Sequence, residues 1–169
     1  MRKEPSQKGF SLVEIIIVIT IASVILPMMM VVIGGMARQT TKAAQTTIAT
    51  DLAREMMELI LAKRFDEKQP AAPSTPSSDW SAVVCPPSPC LGPDTGETRA
   101  TYDDMDDFNT FSDTPATGYT RSAAVVYVAP PNHATTSGSP TNYKRITVNV
   151  SHNEIGTITL VTLAGGWGN

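Results

Sequence analysis

The sequence has no surplus of positive charge. Its 13 Lys and Arg stand against 16 Asp and Glu, a net charge of −3, which gives no support for nucleic-acid binding through broad electrostatics. Cysteine and histidine are scarce, two of each. His133 and His152 lie far from any ligand pattern and have no evident paired acid or nucleophile, so a zinc site lacks ligands and a nucleophile-activating relay lacks members. The Cys-x-x-Cys spacing of redox sites is missing, as are a nucleophile-elbow serine and a phosphate-cradling glycine loop. No catalytic constellation survives these absences, and the chain reads as a non-enzyme. Its 169 residues, less a long apolar stretch, leave room for one modest globular domain.

That apolar stretch lies at the start. A basic leader with Arg2, Lys3 and Lys8 ends at Gly9, Phe10-Ser11-Leu12-Val13-Glu14 follows, and an apolar run extends from Ile15 to Met36. As a helix the run is about 33 Å long, near the hydrocarbon thickness of a bilayer. The cationic leader places the N-terminus in the cytoplasm and the remainder on the far side. Glu14 is the anomaly, since a carboxylate at bilayer depth costs about 2.5–3.5 kcal/mol on insertion scales and calls for a positive partner. A cut between Gly9 and Phe10 creates one: an α-ammonium with a pKa of about 7.7–8.0 in water, four residues from Glu14 on a helix, or reaching Glu14 from a neighbouring subunit. Three simpler readings fit less well. A secretory signal has an apolar region of about 7–15 residues, and this one is longer. A plain anchor leaves Gly9-Phe10 and Glu14 unexplained, and a buried core helix needs a larger soluble domain.

Lys8-Gly9-Phe10-Ser11-Leu12-Val13-Glu14 followed by an apolar helix resembles the class III signal of type IV prepilins and type II secretion pseudopilins. The resemblance implies that a prepilin peptidase cuts after Gly9 and methylates the Phe10 amine. It further implies that Glu14 pairs with the Phe10 amine of an adjacent subunit during filament assembly. The implied partners are that peptidase, other pilin or pseudopilin subunits, the inner membrane and its assembly platform.

Further along, Pro27 removes a backbone donor and opposes the carbonyl of Ser23, so a kink or a locally opened helix is expected there. Gly34 and Gly35 suggest a hinge or a close-packing surface. Residues 37–65 lack Gly and Pro and carry Ile48, Leu52, Met56, Leu59 and Ile60 at intervals of three and four, the pattern of an amphipathic helix. Lys63 and Arg64 suit its C-terminus. Residues 66–118 are then read as a Pro-rich variable loop. Cys85 and Cys90 enclose Pro86-Pro87-Ser88-Pro89, and in an oxidising compartment such a pair reads as a disulfide. Tyr102-Asp103-Asp104-Met105-Asp106-Asp107-Phe108 is acidic and framed by aromatics. Asp103, Asp104, Asp106 and Asp107, with Asp113, are candidate calcium ligands. The competing reading is a turn whose Asp side chains cap local backbone amides. No other cofactor is expected.

The C-terminal part, 119–169, reads as an antiparallel sheet, with strands expected over Tyr119–Ala129, Lys144–Ser151 and Thr157–Leu163. Ile146, Val148 and Val150 alternate with polar residues, so one face is apolar and one is wet. His152 to Gly156 suits a hairpin, and 130–142 a longer polar loop. The fold class is α+β: a long N-terminal helix, membranous over 10–36 and amphipathic over 37–65, packed on this sheet in a type IV pilin-like arrangement. The acidic segment and Lys144-Arg145-Ile146-Thr147-Val148 are also similar to segments of minor pilins of the mannose-sensitive haemagglutinin type. That similarity implies a minor pilin or pseudopilin; the alternative is a membrane-anchored adhesin or DNA-binding tip module that uses the 130–142 loop and Trp167.

Overall fold

The computed structural model describes residues 9, 11–66, 91–94 and 96–166. The expected disulfide between Cys85 and Cys90, Phe10 and Trp167 lie outside them. The first element, α1 (Leu12–Leu61), is one helix of 50 residues. The chain divides into two compact units, Met1–Ala43 and Ala44–Asn169.

In the first unit α1 is apolar and solvent-facing, with a mean hydropathy of 2.9 in its most apolar window and none of that window buried. It is long and apolar enough to cross a membrane. The helix continues through Pro27, although the ring leaves the Ser23 carbonyl without its usual amide donor.

In the second unit the C-terminal part of α1 buries Ala49, Ala53, Met56, Met57 and Ile60, a stripe at helical spacing. The stripe is rotated from the expected one. Ile48 and Leu59 are exposed, and the two fully buried alanines, Ala49 and Ala53, take their place. The helix also ends four residues before the expected Phe65. After Leu61 the chain turns into a short parallel bridge between Arg64 and Asp104, in which Arg64 N–H donates to the Asp103 carbonyl (3.3 Å) and Met105 N–H to the Arg64 carbonyl (2.9 Å). Lys63 and Arg64 therefore do not occupy the last helical turn. Lys63 Nζ donates to the Tyr102 carbonyl at 2.5 Å, and Arg64 pairs with Asp103.

Four antiparallel strands form one sheet in the order β1-β2-β3-β4: β1 (Ser112–Ala116), β2 (Tyr119–Tyr127), β3 (Tyr143–His152) and β4 (Gly156–Gly165). The last three match the expected strands to within two residues at each end. β1 was not foreseen. Its sequence, Ser-Asp-Thr-Pro-Ala, has the composition of a loop, but Pro115 is tolerated because β1 is an edge strand, and the register slips between Asp113 and Ala116. The hairpin after His152 turns through Gly156, whose φ of +79° suits glycine.

Register brings Ala123 opposite Val148 and Val125 opposite Ile146, with Leu160 opposite Val148 on the far side. These inward side chains and the α1 stripe make one core, closed by Phe65, Met105, Phe108 and Tyr127. The arrangement is the expected α+β one, a long N-terminal helix packed on a C-terminal antiparallel sheet.

Candidate functional site

Among the described residues, two groups of side chains stand out for their chemistry. At the N-terminus, α1 opens with Glu14 N–H and Ile15 N–H donating to the Ser11 carbonyl at 3.0 and 3.2 Å. Ser11 therefore stands just ahead of the first helical turn and Glu14 within it. Ser-x-x-Glu is also the spacing of a capping box, a local role for Glu14 that the sequence reading did not consider. A carboxylate in the first turn interacts favourably with the helix dipole. Ile15, Val18 and Ile19 flank Glu14 along a groove, so this acid sits on an otherwise apolar, exposed surface.

The second group lies under the sheet, where the aspartates of the acidic segment do not converge on one point. Asp107 Oδ2 accepts from Asp103 N–H (2.8 Å) and Asp104 N–H (3.1 Å). Asp104 Oδ1 accepts from Asp106 N–H (2.9 Å) and Asp107 N–H (3.3 Å). These reciprocal bonds shape the turn and launch a short 3-10 helix, Asp106–Phe108. The carboxyl groups then sort into two sets, Asp66 with Asp104 and Asp106, and Glu97 with Asp103 and Asp107, each within 4.8 Å. Asp113 belongs to neither. It lies on β1, bound to Arg121 and Arg99.

Lys144 meets the first set. Fully buried, its Nζ lies 2.5 Å from Asp106 Oδ1 and 3.2 Å from Asp66 Oδ2, and it donates to the Phe65 carbonyl. The Phe65 and Tyr127 rings lie 4.6 and 5.0 Å from Nζ, within cation–π range. Burial, reinforced by Asp106, pushes the Asp104 carboxyl up to about 9. Burial also raises Asp106, although Lys144 opposes it. Burial and the Asp66 carboxylate push the Tyr127 phenol up, and it donates to Asp66. In the second set burial and the neighbouring Asp107 raise Glu97.

Lys144, Arg121, Asp66 and Tyr127 were not singled out from the sequence. A signal existed: Lys144 shares the inward parity of Ile146, Val148 and Val150, and Arg121 that of Ala123 and Val125, so period-two alternation alone assigns both cations to the buried face.

The comparisons bear on the N-terminus. A family model described as the prokaryotic N-terminal methylation motif matches residues 5–26. No curated protein and no solved structure matches the chain. The match spans Gly9, Phe10, Glu14 and the start of the apolar helix; this is a structural rather than a catalytic class, consistent with a non-enzymatic protein. The chain carries a prepilin-type N-terminal methylation motif, which points to the broad prepilin and pseudopilin superfamily.

Proposed function

We propose that this chain is a minor pilin or pseudopilin, a structural subunit of a type IV pilus-like or type II secretion filament. The observation that carries the reading is the methylation motif over residues 5–26 running into a helix whose apolar surface is unburied. Prepilin peptidase removes residues 1–9 and methylates the Phe10 amine. Before assembly the chain is a single-pass inner-membrane protein with its leader in the cytoplasm; afterwards its apolar helix packs among those of other subunits.

Glu14 sets the axial register in this assembly. A carboxylate entering an apolar bundle is tolerated where it meets a cation, and the amine exposed by cleavage is one that every subunit carries. Pro27 marks the point where the helix opens or bends during packing, because the Ser23 carbonyl already lacks its donor. Cys85 and Cys90 are bonded once the domain reaches an oxidising compartment.

Expression with and without a prepilin peptidase tests the reading. A peptidase-dependent shift to a shorter, membrane-held chain that then enters sheared filaments is expected. Filament entry independent of the peptidase contradicts it.

A further inference from the structure

We propose that Lys144 and Asp106 condense into an intramolecular amide, a covalent staple between β3 and the acidic turn. The amine and the carboxyl are already in contact, Nζ to Oδ1 at 2.5 Å, in a site where Lys144 is 0% and Asp106 5% exposed. Two groups held together in fixed orientation react with the effective molarity of an intramolecular pair, and exclusion of water protects the product from hydrolysis. Asp66 is the poorer electrophile of the two neighbours, since it stands farther from Nζ, at 3.2 Å, and Tyr127 already donates to its Oδ2.

The surroundings supply the proton transfers. Lys144 passes one ammonium proton to the Asp66 carboxylate, and the freed lone pair of Nζ attacks Cγ of Asp106. One proton on the nitrogen then passes to the Asp106 oxygen that will leave. The Cγ–O bond then breaks as Asp66 returns its proton, and the oxygen departs as water. An ammonium and a carboxylate have become an amide and one water, with no oxidant, reductant or net proton required. The product keeps one N–H on Nζ, and the Phe65 carbonyl that accepts from Lys144 is already its acceptor. The bond also removes two charges from a site where keeping them ionised is costly.

The staple joins residues 38 apart in sequence and, unlike a disulfide, withstands reduction. The test is the intact mass and peptide map of the reduced full chain, referred to its own N-terminal state. The expected mass is one water below that of the open chain, with a branched proteolytic peptide joining Lys144 to Asp106; Lys144→Arg restores the full mass. Wild-type chain at full mass, with the two residues on separate peptides, overturns the proposal, as does a water loss that maps to any other pair. Should Lys144→Arg fail to accumulate, the wild-type map decides the matter alone.

Discussion

Arg121 and Asp113 hold each other through two hydrogen bonds, Nε to Oδ1 at 3.0 Å and Nη2 to Oδ2 at 2.8 Å. The guanidinium, on β2, also donates through Nη1 to the Leu52 carbonyl of α1 at 3.1 Å. One buried cation thus ties the helix to the two outermost strands on that side. Burial alone would raise the Asp113 carboxyl, but Arg121 and then Arg99 outweigh it and hold the group below the usual carboxylate range.

Asp113→Ala therefore leaves Arg121, only 2% exposed, without its two close hydrogen bonds and with the exposed Glu55, at 3.7 Å, as its remaining carboxylate. The expected loss is about 3–5 kcal/mol of stability, read by denaturant unfolding in detergent. Arg99→Ala removes a half-exposed partner and is expected to cost about 1 kcal/mol or less. Because the folded Asp113 is the stronger acid, its contribution is complete above about pH 4 and disappears as pH falls through the lower folded value. Equal losses from the two substitutions would contradict this ranking.

Asp104 titrates in the opposite sense. Its folded carboxyl is pushed up to about 9, so between about pH 4 and that value the folded state holds a proton that the unfolded state has released. Its contribution to stability is whole below about pH 4 and declines as pH rises, by at most about 1.4 kcal/mol per pH unit. Asp104→Asn keeps the acceptor for the Asp106 and Asp107 amides while abolishing the titration. Melting curves of the variant between about pH 6 and 9 are expected to be flatter than those of the wild type. An unchanged pH slope would rule out a protonated Asp104.

The sheet was largely legible because Ile146, Val148 and Val150 alternate cleanly, and the N-terminal helix because its apolar run is long. β1 was hidden because an edge strand tolerates Pro115 and needs no apolar alternation. The helix stripe was misplaced because Ala49 and Ala53 carry little hydrophobic weight in a pattern yet are fully buried. Lys144 and Arg121 were hidden for another reason. A charged residue on a strand is read as solvent-facing by type, and only parity reveals that it points inward.

Glu14→Gln removes the charge at nearly constant shape and preserves the first helical turn. The variant is expected to be cleaved at the wild-type rate but to be depleted by at least about tenfold from sheared filaments, a ratio that about 1.4 kcal/mol already produces and that a broken buried pair exceeds. Normal incorporation would contradict the register role of Glu14.

Gly9→Leu probes the leader boundary. A Cβ at Gly9 meets nothing within 4 Å among the described residues, so the substitution is aimed at recognition by the peptidase. Full-length precursor is expected to accumulate in the membrane, visible as one slower band on a gel. Efficient processing of this variant would place the cut elsewhere.

The N-terminal peptide of the mature protein, taken from filaments or membranes of cells that contain a prepilin peptidase, tests the central claim most directly by mass spectrometry. The account predicts a chain that begins at Phe10 with a methylated α-amine. Polymerised protein that still carries residues 1–9, or that begins at another residue, would contradict it.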